Sequence, residues 1–305
     1  MQIKTPKDLA IKARMMGKKT ISYSQLNMYK GCPLQWKLTY IDKHREFIPS
    51  MFLVFGTAMH EVLQQYLTTM YEKTAVAANA HDSEKMLKEC MATEYKKAVK
   101  DTGSHFSDAA EMQEFYDEGV LIIDYFKKRR GAYFSKKNTE LLGVEIPILC
   151  ESDDNTNIML MGFADIVMKQ GDTITIYDIK TSMFGWRAKK KKAEGDQLRI
   201  YKRYFSKQYD VPEENINIEY FIVKRKLYEN MDFPQKRIQQ YRPPHGKVSM
   251  NRTKKLLTEF IGHAFTEDGK HNKDADYPAL RTGCTYCSFK KNYELCPKQN
   301  RKLVK

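Results

Sequence analysis

Two rhythms of apolar and polar positions divide this chain. From Phe55 to Tyr71, "FGTAMHEVLQQYLTTMY" places apolar residues at helical spacing, and residues 83 to 134 keep that period with interspersed charge. Strand patterns follow in "ELLGVEIPIL", "NIMLMGFADIVMK" and "DTITIYDIKT", and again in "NINIEYFIVKRKLY" after a helical "EGDQLRIYKRYFSKQY". A late helix is expected at "KKLLTEFIGHAF". Near the start, "TISYSQLNMYKG" offers Ser22 or Ser24 as the N-cap of a short helix that stops at Gly31. Strands alternating with helices predict an α/β or α+β fold, a central mixed β-sheet flanked by helices. One domain over 1–305 is expected, with a mostly helical insertion at 61–134, a sheet core at 140–230 and a loop-like segment at 275–305.

Two of these strands carry charge at positions that otherwise read as buried: Asp165, Asp178 and Lys180. An ionised carboxylate in an apolar setting is costly unless a metal or an opposite charge compensates it. Between the strands, "MKQGDTIT" contains Gly171-Asp172, a tight-turn pair. With that pair at the turn's centre, residues whose numbers sum to 343 face one another, so Asp165 opposes Asp178. Strand alternation adds Lys180 to the same face. Opposed carboxylates raise each other's pKa unless a cation lies between them, and hard oxygen ligands suit Mg²⁺ or Mn²⁺. Lys180 can then orient or help deprotonate a metal-bound water and stabilise charge developing on a phosphate. The bland alternative is an Asp178–Lys180 salt bridge on an edge strand, although "TITIYDI" reads as a central one.

Composition directs attention to polyanions. The 305 residues are 42% hydrophobic, and 52 Lys and Arg against 38 Asp and Glu leave a formal charge of +14. Such a surplus suits nucleic acid, since neutralised phosphates release counterions; a Lys-rich surface can also serve solubility alone. In "WRAKKKKAEGDQLRIYKR", Arg187 and Lys189, Lys190, Lys191 and Lys192 concentrate the charge just beyond Lys180, as a phosphate track would. Phe184, Trp186 and Tyr204 lie nearby and are candidates to stack unpaired bases, with most such aromatics expected in the core. The N-terminus lacks the apolar stretch of a secretory signal and no window approaches 18 uncharged apolar residues, so no membrane partner and a cytoplasmic location are expected.

Cysteine spacing adds a second chemistry. Cys284 and Cys287 form a C-x₂-C, and Cys296 follows after eight residues, a pattern that reads as a metal site ahead of a disulfide. Cys90 and Cys150 read as small buried hydrophobes.

Asp165 followed by Asp178-Ile179-Lys180 resembles the D…(D/E)-x-K core of the PD-(D/E)XK nuclease superfamily, and further segments resemble its RecB-like exonuclease subgroup. "FGTAMHEVL" is similar to that subgroup's G-x-x-x-H helix, "QLRIY" to its Q-x-x-x-Y helix, and "SYSQLNMYKGCPLQWKLTY" to its N-terminal S-x-S-x-L…C-P segment. The resemblance implies a restriction-endonuclease-like core that binds Mg²⁺ or Mn²⁺ through His60, Asp165, Asp178 and the Ile179 carbonyl. Asp165, Asp178 and Lys180 would be catalytic, Gln197 and Tyr201 would contact substrate, and Glu145 is an auxiliary candidate. AddB-type nuclease domains and CRISPR-associated exonucleases, which are similar, hold a [4Fe-4S] cluster with one N-terminal and three C-terminal cysteines. Here those would be Cys32, Cys284, Cys287 and Cys296, closing the tail onto the N-terminus. The last gap of eight residues is longer than in those families, which leaves a four-thiolate Zn²⁺ site open. The implied activity is a metal-dependent DNA exonuclease acting on single-stranded DNA or DNA ends in recombination, repair, phage or CRISPR DNA processing, within the host cytoplasm if phage-encoded. A structure-specific endonuclease and a non-catalytic nucleic-acid-binding subunit are the alternatives. The chain shows no G-x-x-x-x-G-K-[ST] phosphate loop, so any unwinding would come from a helicase or recombination partner.

Overall fold

The structure is a computed structural model that describes residues 5–44, 47–134, 137–297 and 301–302. Its first helix, α1 (Pro6–Met15), begins at a reciprocal cap in which the Thr5 side chain accepts from Asp8 N and the Asp8 side chain accepts from Thr5 N. Strand β1 (Lys19–Ile21) leads into α2 (Tyr23–Gly31), whose N-cap is Ser22. Cys32 ends α2 and starts α3 (Pro33–Tyr40), where Pro33 sits at the first turn that tolerates its missing N–H.

Four helices follow: α4 (Met51–Glu72), α5 (Ala75–Ala80), α6 (Ser83–Thr102) and α7 (Ala109–Tyr133). The boundary expected at Glu61 therefore falls inside α4, because the apolar stripe from Met51 to Leu67 is one continuous helix face. The sheet strands β2 (Thr139–Glu151), β3 (Ile158–Gln170) and β4 (Thr173–Ser182) come next, then α8 (Ala188–Ala193), α9 (Asp196–Tyr209), β5 (Ile216–Lys224), β6 (Ile238–Tyr241) and α10 (Lys247–Ala264). The tail forms short 3₁₀ turns between β7 (Ala279–Leu280) and β8 (Arg301–Lys302). Residues 298–300 and 303–305 of the expected cysteine segment lie outside the described residues.

Among the described residues the main sheet has six strands in the order β1-β3-β4-β5-β6, with β2 also on β3. It is mixed: β1–β3 and β4–β5 run parallel, and β2–β3, β3–β4 and β5–β6 run antiparallel. The sheet thus reaches beyond 140–230, taking in the short edge strands β1 and β6. Apolar side chains alternate across it. Ile174 and Ile176 of β4 face a core shared with Trp36, Leu198, Tyr204 and Phe260, while Tyr177 and Ile179 face the helical side with Phe55, Leu63 and Phe126. Both faces are covered, which is why β4 and β5 read as nearly continuous apolar runs.

The β3–β4 turn fixes the register. Gln170 pairs with Thr173 and Ile166 with Tyr177, so facing residues sum to 343, and Gly171 takes the positive φ of +58° that the first position of a type II′ turn requires.

Candidate active site

One edge of β3 is forked. It pairs with β1 through Ile158–Leu160 and with β4 through Ile166–Gln170, and between these pairings Met161, Gly162, Phe163 and Asp165 line an open cleft. Ser22, Tyr23 and Ser24 at the β1–α2 junction, His60 of α4, Asp178 and Lys180 of β4, and Gln197 and Tyr201 of α9 complete its lining.

At the fork the chain breaks its own alternation. Ala164 packs in the same core as Leu160, yet Ile166, two residues later, faces the opposite helical core. Across the ladder, Ile146 and Val144 divide in the same way. The switch lies at Asp165 and the facing Glu145, whose φ of +49° is a left-handed conformation uncommon for a residue with a side chain. Glu145 Oε1 accepts from Gln64 Nε2 at 2.6 Å, and the same amide nitrogen donates to the Asp165 carbonyl at 3.0 Å. Gln64 thus ties α4 to the kink in both strands.

This kink delivers Asp165 into the cleft. Its Oδ2 accepts the Ile179 N–H at 2.7 Å, in place of the ladder that stops at Ile166–Tyr177. His60 Nδ1 lies 3.4 Å from the same oxygen. On β4, Lys180 Nζ is 2.8 Å from Asp178 Oδ2 and donates to Gln197 Oε1 at 3.0 Å. Among the described residues, the Lys180 ammonium is therefore the one cation beside Asp178 Oδ2, an oxygen that is fully buried. Tyr201 packs against Gly162, where a Cβ would come within 2.8 Å of the ring, so only glycine lets the phenol reach the strand.

Electrostatics follow from burial. Asp165 is held well above the usual carboxylate range by burial and then by the Asp178 charge, against the opposing pull of Lys180 and the Ile179 N–H. Burial likewise raises Asp178 more than Lys180 lowers it. For Lys180, burial works against the charged form, but Asp178 and Asp165 together raise it. Burial, then the Lys180 charge, lowers His60 to about 4, so its ring is neutral. Glu145 is raised by burial, with Gln64 opposing, and the Tyr201 phenol is raised chiefly by burial.

The family model of the PD-(D/E)XK nuclease superfamily matches residues 20–296, nearly the whole chain and every residue of this cleft from Ser22 onward. The chain belongs to the PD-(D/E)XK nuclease superfamily. Among solved structures, one described as "Putative exonuclease" from Eubacterium rectale is similar over 100% of this chain and 96% of its own, at 12% identity and a TM-score of 0.49. Another, SSO0001, is similar over 84% and 92%, at 14% identity and a TM-score of 0.29. Both are too distant to assign chemistry. No curated protein matches the sequence.

Nucleases of this superfamily typically use Mg²⁺ or Mn²⁺. Among the described residues, no three His, Cys, Asp or Glu side chains converge tightly enough to hold an ion by themselves. Mg²⁺ needs no such cage: it binds through one or two carboxylates and keeps waters and substrate phosphate as its other ligands. Two adjoining buried carboxylates that share one lysine as their nearby cation fit that demand.

Elsewhere the sequence-predicted residues separate. Lys189 to Lys192 form α8, where Lys190 pairs with Glu194 at 2.6 Å and lies over Trp186, while Lys191 lies over Tyr241. From α8 onward, Ala193 and Glu194 line a groove that runs from Lys180 past Lys30 to Thr282 and Thr285. Arg187 is exposed and donates to Tyr228 Oη at 3.4 Å. Cys32, Cys284, Cys287 and Cys296 are free thiols lining one small cavity. Cys90 is half-buried and Cys150 buried. Gln64 and Tyr23 are site residues that sequence reasoning missed. Gln64 had a signal, since it stands one helical turn from His60 on the same face.

Proposed function

We propose that this chain is a divalent-metal-dependent deoxyribonuclease that hydrolyses phosphodiester bonds from DNA ends. The observation that carries the reading is the meeting of Asp165, Asp178 and Lys180 at the forked edge of β3, two buried carboxylates with a single ammonium between them and the cleft. Asp165 and Asp178, with the Ile179 carbonyl and His60 beside them, would hold Mg²⁺ or Mn²⁺. When bound, the ion supplies a nucleophilic water at neutral pH and a Lewis acid for the phosphate. Lys180, aimed by Gln197, orients that water and offsets charge as the phosphorus–oxygen bond breaks. Gln197 therefore acts on substrate through Lys180, and Tyr201 walls the cleft. Arg187 and the exposed Lys189 and Lys192 supply phosphate contacts beside it.

The motif resemblance favours an exonuclease over a structure-specific endonuclease, and the intact Asp165, Asp178 and Lys180 favour an enzyme over a non-catalytic DNA-binding subunit. A time course with Mg²⁺ or Mn²⁺ on end-labelled linear DNA and on covalently closed circles separates these. Loss of linear DNA with intact circles is expected; nicked circles mean an endonuclease, and no cleavage of either removes the enzyme reading. A helicase or recombination protein is the partner such an enzyme would need on duplex DNA.

We also infer that Cys32, Cys284, Cys287 and Cys296 hold a [4Fe-4S] cluster. Their shared cavity supports it, as does the Leu280 N–H aimed at Cys32 Sγ from 3.3 Å. Gly283 approaches so closely that a Cβ there would lie 2.7 Å from Cys32 Cβ, which keeps the turn of Cys284 and Cys287 against the N-terminal cysteine. Four thiolates can bind the four irons of a cluster, one each, and the motif resemblance favours that over a Zn²⁺ ion. Protein purified without air should be brown with about four irons per chain, and Cys32→Ala should lose colour and stability together. Stoichiometric zinc without acid-labile sulfide would replace the cluster with a zinc site.

A further inference from the structure

The aromatics near the catalytic strand divide sharply in exposure. Trp186 and Tyr204 are buried, whereas Phe184 is 37% exposed and Tyr228, from the segment after β5, is 40% exposed. These two rings stack on each other, centroids 4.8 Å apart and planes 12° from parallel. A stacked aromatic pair left partly in water offers a flat apolar face that a ligand can cover. Its setting indicates which ligand. The exposed guanidinium of Arg187 donates to Tyr228 Oη, and the methylenes of Lys224, whose charge interacts with Tyr228, pass Gly185 next to Phe184. Cationic groups around a flat apolar ring face complement a base and its phosphate.

The pair is also anchored near the cleft. Arg225 N donates to Ser182 O at 2.8 Å and Lys226 N to Met183 O at 2.7 Å, which carries the β4–β5 edge on to Phe184 and Tyr228. Phe184 is four residues beyond Lys180, at most about 13 Å along an extended chain. A single strand entering the cleft covers that distance in about two to four nucleotides.

We propose that the Phe184–Tyr228 stack is a platform for an unpaired base of the substrate, a few nucleotides from the bond to be cut, and that it gives this site a preference for single-stranded DNA. The proposal rests on the nuclease reading above for its substrate, and its test is made by binding, apart from cleavage. Full-length protein in EDTA is titrated, by fluorescence anisotropy, against a labelled twelve-residue oligothymidylate, the same strand with abasic sites throughout, and a blunt hairpin duplex. Phe184→Ala and Tyr228→Ala alter exposed side chains, and unchanged melting temperatures verify that the variants fold. Each should weaken oligothymidylate binding about five- to a hundredfold, the range for loss of one stacked base, and leave the abasic strand and the duplex within twofold of wild type. Binding of oligothymidylate within twofold of wild type by both variants overturns the proposal, as does an equal loss on the abasic strand or on the duplex. A wild type that cuts no DNA while showing the expected pattern would remove the nuclease reading and leave the platform standing.

Discussion

Asp178 and Asp196 are aspartates of nearly equal burial, 1% and 5% exposed, on consecutive parts of the same crossover, and their environments push them in opposite directions. Asp196 opens α9, where the helix N-terminus favours a negative charge. Its carboxylate accepts from Lys30 Nζ at 2.8 Å, Arg199 Nη1 at 3.0 Å and Thr253 Oγ1 at 2.8 Å. Those donors outweigh the burial that would raise it, and its pKa falls below the ordinary range. Asp178 has one cation, which it shares with Gln197 and with the neighbouring charge of Asp165, and burial prevails. The same fold that satisfies one buried aspartate completely leaves the other short of positive charge. That deficit is the electrostatic form of a cation site.

The largest effect expected from breaking this contrast is on chemistry. Asp178→Asn and Lys180→Ala should each lower the single-turnover rate on end-labelled DNA by about a hundred- to a thousandfold or more, with the fold intact. Near-normal cleavage by folded Lys180→Ala would sink the mechanism. Asp196→Ala should do the reverse, costing about 3–5 kcal/mol in denaturant unfolding because it leaves the buried Arg199 unpaired. Activity per folded molecule should hold.

Acid separates the two aspartates by sign. Asp196, depressed, contributes stability that is present above about pH 4 and is lost as pH falls through its folded value. Asp165 and Asp178, raised, bind protons in the folded state that the unfolded chain does not, so in metal-free protein their contribution grows as pH falls from neutral and shrinks as it rises. Thermal melts from pH 7 to 5 should therefore show wild type gaining on Asp178→Asn. His60, lowered to about 4, loses stability over this range in both proteins, so the difference between them is the readout. Parallel curves would contradict the assignment. The smallest effect is expected at the surface, where Lys189→Ala with Lys192→Ala should flatten the salt dependence of DNA binding by about one unit of slope per lost phosphate contact.

Much of this site was legible because a two-residue turn leaves no freedom in register. Once Gly171-Asp172 is placed, alternation puts Asp178 and Lys180 on one face and points Asp165 toward them, and the kink completes the approach. The kink at Glu145 and Asp165 was not legible: a left-handed glutamate carries no sequence signal, and without it alternation places Ala164 and Ile166 on one face of the sheet rather than on two. The strands β1 and β6 escaped notice because three or four residues carry too little pattern, although β1 makes the fork in which the cleft opens. The lysine run read as a phosphate track, but two of its lysines have closer partners, Glu194 with Trp186 for Lys190 and Tyr241 for Lys191, which spacing alone does not reveal.

If Asp178 is a charge in wait of a cation, paired melting curves will show it. Wild type and Asp178→Asn are compared in EDTA and in Mg²⁺ at neutral pH, with Asp196→Ala as the structural reference. Asp178→Asn should melt no lower than wild type in EDTA, and Mg²⁺ should raise wild type while leaving Asp178→Asn unmoved. An Asp178→Asn protein that melts well below wild type without metal, as Asp196→Ala should, would contradict it.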